Sequence, residues 1–236
     1  MESDWHVLQI HLLREQILQA MAEQGRTDFH VGANNFVYYS LQQAREVAEE
    51  VAKGQKDRAF RGPDVYWVGG VPRRQRQAWI AWEEGGRLPD VIFELLSPST
   101  AHKDRTEKRD LYARVFHTAE YFLCEPEPLR LEGLRLARRS SSYRPILPDA
   151  DGRLWSEQFG VYVGIWHGVA QDEEHDWIRL FRPDGSLVPT REEKTEAERQ
   201  KADAERQRAD AERQRAEKAE AELARLRVLL EKQPPL

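Results

Sequence analysis

Between Pro63 and Lys108 the chain sets acids inside two short apolar runs and then a lysine on the apolar side of a helix. The first run is Pro63-Asp64-Val65-Tyr66-Trp67-Val68. The second is Pro89-Asp90-Val91-Ile92-Phe93-Glu94-Leu95-Leu96, followed by Ser97-Pro98-Ser99-Thr100. Runs this rich in β-branched and aromatic residues read as strands. An acid in such a strand is costly to bury unless a cation or a hydrogen-bond network pairs with it. Two of these strands side by side would bring carboxylates to a place where a divalent metal can sit. Side chains alternate along a strand, so Asp90, Ile92, Glu94 and Leu96 share a face, with Asp90 and Glu94 about 13 Å apart. One metal does not easily reach both. Glu94, flanked by Phe93 and Leu95, is the harder acid to explain structurally. Asp90 follows a proline at a strand start and also fits a cap or turn.

A helix expected over roughly 101–116 adds the third element, and Ser99 or Thr100 can cap its start. Asp104, Lys108, Leu111 and Val115 then fall on one face at three- and four-residue spacing. Lys108 therefore lies on the stripe that packs on the sheet, where its charge would offset the acids. The structural alternative is a snorkelling lysine with its head in water. Two carboxylates and a lysine suit metal-assisted phosphodiester hydrolysis. The acids hold Mg2+, the metal activates water and offsets phosphate charge, and the lysine orients the nucleophile or stabilises the transition state. Paired carboxylates also serve glycosidases, but apart from scattered tryptophans nothing marks a sugar cleft. A Gly-x-Ser-x-Gly elbow is absent. The 7 histidines form no pair at metal spacing, which disfavours zinc.

These residues need a frame. Apolar positions Leu8, Leu12, Leu13, Ile17, Leu18 and Met21 recur at helical spacing and end at Gly25. Strand-like runs follow at 29–31 and 36–39, then a helix over 42–53. Beyond the acidic strands come a strand at 121–124 and alternating runs at 129–136, 143–147, 161–166 and 177–182. Turns stand at Asp151-Gly152 and Asp184-Gly185. The fold class expected is α/β, a mixed sheet with a helix on at least one face.

The 236-residue chain is 33% charged, with a net charge of −5 and a mean hydropathy of −0.76. Residues 191–236 account for much of this polarity, with 12 Lys/Arg and 12 Asp/Glu in a seven-residue repeat. Ala202, Ala209, Ala216, Leu223 and Leu230 lie seven apart, and Ala219 and Leu226 fill the second seam position only near the end. Upstream that position is Glu205 and Glu212. The tail reads as a long charged helix that self-associates through its last two heptads and stops at Pro234-Pro235, or as a solvated single helix. The division expected is therefore a 1–190 domain and a 191–236 helix, a candidate coiled coil.

A net negative charge does not advertise nucleic-acid binding. Basic clusters nonetheless stand at Arg73-Arg74-Gln75-Arg76, at Lys103, Arg105, Lys108 and Arg109, and at Arg138-Arg139. A single cysteine, Cys124, rules out a disulfide framework and a Cys-rich zinc site. With no signal-peptide pattern and no membrane-length apolar run, a cytoplasmic protein is expected, with no membrane partner.

At its acidic strands the chain resembles a bacterial family of restriction-type endonucleases, the Uma family, within the PD-(D/E)xK nuclease superfamily. The matching pieces are Arg61-Gly62-Pro63-Asp64-Val65, the run from Pro89 to Thr100, Asp104-Arg105, Lys108-Arg109, Leu111-Tyr112 and Glu120-Tyr121-Phe122. Asn35-Phe36-Val37-Tyr38-Tyr39-Ser40 is similar to the family's early strand. The resemblance covers most of 1–190, and the tail resembles extensions seen on some members. It implies a restriction-endonuclease-like core, a mixed central sheet flanked by helices, and a DNA endonuclease dependent on Mg2+ or Mn2+. Asp64 matches the superfamily's Pro-Asp acid and Glu94 its Asp/Glu. The lysine expected two residues later is replaced by Leu96, and a helix-borne lysine matching Lys108 takes over in this family. Asp90 stays an auxiliary candidate, for a second metal or for holding the site through hydrogen bonds. The catalytic set implied is thus Asp64, Glu94 and Lys108, with Asp64, Glu94 and Asp90 as metal candidates. DNA is the implied partner, and a homo-oligomer through the core or the C-terminal helix is expected. The competing reading is a nuclease-fold module without catalysis, binding DNA or protein and scaffolded by its tail. An RNA-acting nuclease is a third.

Overall fold

The computed structural model describes residues 3–54, 62–137 and 141–231, with side chains through 224 in the last segment. The chain divides into two compact units, Met1–Thr190 and Arg191–Leu236.

In the first unit, helices α1 (Asp4–Glu23) and α2 (Leu41–Ala52) flank the early strands β1 (Phe29–Ala33) and β2 (Val37–Tyr38). β3 (Val65–Gly69), β4 (Trp79–Ile80) and β5 (Val91–Leu95) follow, then a helix over 101–116. The remaining strands are β6 (Glu120–Pro126), β7 (Leu129–Leu136), β8 (Tyr143–Pro145), β9 (Leu154–Ser156), β10 (Val161–Ala170) and β11 (Glu173–Phe181). They form a six-stranded sheet β1-β3-β5-β6-β7-β8, a three-stranded sheet β11-β10-β9 and a two-stranded ribbon β2-β4. Among the described residues of the large sheet only β5 and β6 are parallel. Parallel neighbours need a crossover, and helix 101–116 provides it. The result is the mixed α/β core expected from the sequence, with helices on both faces.

The near-continuous apolar runs of β3 and β5 follow from burial on both faces. Alternation sorts their side chains into two cores. Val65, Trp67, Val91, Phe93 and Leu95 join Phe122 and Cys124 beneath α1 and the three-stranded sheet. Tyr66, Val68 and Ile92 join Tyr121 and Leu123 with Tyr112, Ala113 and Phe116 of helix 101–116. α1 also buries two polar residues, Gln9 and Gln16. Gln9 donates to the Ile178 carbonyl at 3.0 Å and accepts from the Ile178 N–H at 2.8 Å. Gln16 does the same between Val188 and Leu180, at 2.7 and 3.2 Å. Seven residues apart on α1, the two amides satisfy backbone groups along the edge strand β11 and so close that edge.

The stripe expected on helix 101–116 is only half met. Asp104 is buried and Lys108 nearly so, but Val115 is 45% exposed, and Tyr112, Ala113 and Phe116 take the inner positions. The cause is local. Asp104–Lys108 and Tyr112–Phe116 are π-type turns, whose i→i+5 bonding places more residues in each turn. Positions four apart then drift less around the axis, so 104, 108, 112 and 116 stay in line. Nor does Thr100 cap the helix: its hydroxyl accepts instead from the Ser97 N–H at 3.2 Å.

The second unit is one helix, Arg191–Glu231, whose described side chains, through Ala224, are exposed almost throughout, Leu223 at 57%. The seam positions Leu226 and Leu230, the stop at Pro234-Pro235, and residues Arg61 and Arg138-Arg139 lie outside the described side chains or residues. Among the described residues no helix is long and apolar enough to cross a membrane.

Candidate active site

The register of β3 and β5 assembles the site. Val65 pairs with Phe93, so one further step sets Asp64 across from Glu94. Asp64 sits just before β3 and is pinned from two sides. Its Oδ2 accepts from the Leu95 N–H at 2.6 Å, and its carbonyl accepts from the Asn34 N–H at 3.1 Å. Asn34 itself turns out of β1 at φ 49, a left-handed conformation that asparagine tolerates better than most residues.

Glu94 lies mid-strand and is 2% exposed. Its two oxygens are divided between two residues of helix 101–116. Lys108 donates from Nζ to Oε2 at 2.9 Å, and Tyr112 donates from its hydroxyl to Oε1 at 2.8 Å. Lys108 also forms an ion pair with the buried Asp104 at 2.7 Å. The Tyr121 hydroxyl fastens the same turn by donating to the Asp104 carbonyl at 3.0 Å. Asp104, Lys108 and Tyr112 thus stand one turn apart along the stripe that the π-type turns keep in line.

Two buried carboxylates, Glu94 and Asp104, therefore share one ammonium, and the half-buried Asp64 adds its charge beside Glu94. Burial pushes the Glu94 carboxyl up to about 8, and the negative charges of Asp64 and Asp104 add to this against the opposing pull of Lys108. Burial alone would lower the Lys108 ammonium, but Glu94 and Asp104 outweigh it and hold it above the usual lysine range. Burial likewise raises Tyr112, with the neighbouring Glu94 adding to the rise, so Tyr112 remains a donor. A buried excess of negative charge with hard oxygen ligands is the environment a small divalent cation neutralises.

Asp64, Glu94 and Lys108 are brought together; Asp90 is not. Asp90 lies at the opposite end of β5. There its Oδ2 accepts from the Gly69 N–H at 2.8 Å and faces Arg87 at 3.5 Å. Its backbone N–H and carbonyl join it to Trp67 and Glu120. Asp90 bridges strands there, which matches the hydrogen-bonding one of its two expected roles, and it lies apart from Asp64 and Glu94. Among the described residues no group of three or more His, Cys, Asp or Glu is arranged to hold a metal. Asp104 and Tyr112 are the residues that sequence reasoning left out of the site. The four-residue spacing had already set Asp104 on the face of Lys108, whereas Tyr112 was displaced by Leu111 on an ideal α-helical wheel.

A family model described as "Uma2: Putative restriction endonuclease" matches residues 5–171. That is more than half of the chain, and the chain belongs to this family. Among solved structures, a crystal structure titled as a putative nuclease belonging to DUF820 from Anabaena variabilis is similar, with a TM-score of 0.45 and 13% identity. The match covers 67% of this chain and 75% of that one. No curated protein matches.

Proposed function

We propose that this chain is a metal-dependent endonuclease hydrolysing phosphodiester bonds in DNA, with Asp64 and Glu94 holding Mg2+ or Mn2+. The observation that carries the reading is the convergence of Asp64, Glu94 and Lys108 in a buried site, in a chain of a family described as restriction endonucleases. The donor set fits the ion, because Mg2+ is held by one or two carboxylates and completes its shell with water and substrate phosphate. When bound, the metal supplies Lewis-acid polarisation of the phosphate and a site for activating water.

The chain's own residues do the rest. Leu95 N–H and Tyr112 hydroxyl fix the orientation of one oxygen each on Asp64 and Glu94. Burial raises the Glu94 carboxyl above the usual carboxylate range, so proton and cation would compete for its oxygens. Lys108 stays protonated, with its ammonium held beside Glu94 and Asp104, and would offset charge developing on a bound phosphate. Asp104 is a positioning residue for Lys108.

The test is incubation of supercoiled plasmid with protein and Mg2+ or Mn2+, beside Glu94→Ala and Lys108→Ala. Nicking or linearisation by wild type that both variants lose supports the reading; activity surviving Glu94→Ala sinks the site. The second reading is a binding module of the same fold without catalysis. It is favoured by the double engagement of Lys108, which leaves its ammonium already paired. No cleavage of any DNA form by wild type would decide for it.

A further inference from the structure

A second feature of the first unit lies outside the carboxylate site. Along β1, the edge strand of the large sheet, a cleft of about 320 Å³ is lined by Arg14 of α1, by His30 to Ala33, by Asn35 and by Arg73 to Arg76. In a chain of net charge −5, four arginines meet here. Glu84 neutralises part of this charge: Arg76 binds it with two hydrogen bonds at 2.7 and 2.9 Å, and Arg74 adds a third contact. Arg76 is also stacked on Trp79 at 5.0 Å, which fixes it as a wall. Arg14 and Arg73 are exposed and have no carboxylate partner among the described residues, so their charge faces the cleft and solvent.

Two polar atoms, one on the lining residue His30 and one behind it on Tyr66, lack internal partners. His30 Nε2 and the Tyr66 hydroxyl are both buried and make no hydrogen bond among the described residues. Behind this wall the Tyr66 ring packs on Gly32, where any Cβ would collide with it. Burial, and then the charge of Arg76, push His30 down to about 4, so the imidazole is neutral near pH 7 and adds no charge of its own. One end of the cleft adjoins the carboxylate site. Ala33 pairs with Val65, and the Asn34 N–H holds the carbonyl of Asp64. The five residues of β1 span only about 16 Å, so the arginine end lies within a few nucleotides of Asp64 along a strand.

We propose that this cleft holds backbone phosphodiesters of the polynucleotide strand on its way to the carboxylate site, with Arg14 and Arg73 as the phosphate-contacting residues. The proposal rests on the nuclease reading for its substrate and deepens it by naming where the strand runs. Arginine contacts to phosphate position a strand without reading its sequence, and so the affinity gained here is salt-dependent and sequence-independent.

The experiment measures fluorescence anisotropy of labelled single- and double-stranded oligonucleotides against KCl concentration. It compares wild type with Arg14→Ala/Arg73→Ala, both in the Glu94→Gln background so that nothing is cut. Two lost phosphate contacts should weaken binding about tenfold or more for every sequence and reduce the salt slope by about two. Circular dichroism serves as the control, and removal of these two exposed side chains should leave the spectrum unchanged. An unchanged affinity and slope overturns the proposal. So does a cleft that binds inorganic pyrophosphate, read by the His30 imidazole resonances in NMR, without competition from oligonucleotide. The two readings separate cleanly. If the arginine pair governs oligonucleotide binding but wild type cuts nothing with Mg2+ or Mn2+, the cleft stands and hydrolysis fails. If wild type cuts and the arginine variant, with Glu94 restored, binds and cuts equally well, hydrolysis stands and the cleft fails. No binding at all overturns both.

Discussion

Replacing Glu94 with glutamine should abolish cleavage and at the same time remove a pH-dependent instability from the metal-free protein. An ordinary glutamate titrates at 4.5, whereas burial raises Glu94 to about 8. Between these values the folded state binds a proton that the unfolded state has released. Glu94 therefore contributes stability that is fully present below pH 4.5 and is lost as pH rises through 8. At 1.36 kcal/mol per unit, the loss is about 3 kcal/mol at pH 7 and about 5 kcal/mol at pH 9. Glu94 is 2% exposed, so solvent screening discounts this little. Glutamine keeps an oxygen for Tyr112 or Lys108 and cannot ionise. The lost attraction to Lys108 works in the opposite direction, so the informative quantity is the slope across pH rather than the absolute stability. Urea unfolding in EDTA, followed by tryptophan fluorescence at pH 5, 7 and 9, compares the two proteins. Wild type should lose several kcal/mol more than Glu94→Gln between pH 5 and 9. Equal slopes would refute the buried, coupled carboxylate.

Lys108→Met removes the cation shared by Glu94 and Asp104. It should cost about 3–5 kcal/mol at pH 8 in urea unfolding, and less at pH 5, where Glu94 is already neutral; an equal loss at both would contradict the account. Tyr112→Phe deletes one donor to a buried acceptor and should cost about 1–3 kcal/mol, with a fall in cleavage rate at saturating DNA rather than in DNA affinity. A change in affinity alone would remove Tyr112 from the site. Deleting 191–236 should leave the core's unfolding transition in place and lower the apparent mass in light scattering. An unchanged mass would assign the tail to a single helix or the oligomer to the core.

Much of the frame was legible because period and composition are set by burial. β3 and β5 read as strands since both faces are covered, and α1 read as a helix from its apolar spacing. β9 was missed because three residues show no period, and the edge-closing Gln9 and Gln16 looked like surface amides. For the site, spacing along the strand set Glu94 and Asp90 about 13 Å apart, and they stand at opposite ends of β5 with different partners. What no one-dimensional reading supplies is register: that Asp64 stands across from Glu94 depends on which residues of β3 and β5 pair. Helix 101–116 was legible in extent but not in face, because two π-type turns change the residues per turn. Leu111 and Val115 were therefore expected inside, where Tyr112 and Phe116 stand.

The most direct test of the central claim is a crystal structure with Mn2+ and a short DNA duplex, measured at the manganese absorption edge. The account predicts an anomalous peak between the carboxylates of Asp64 and Glu94, with Asp90 remote from it. A peak at Asp90, or none at the pair under saturating Mn2+, would contradict it.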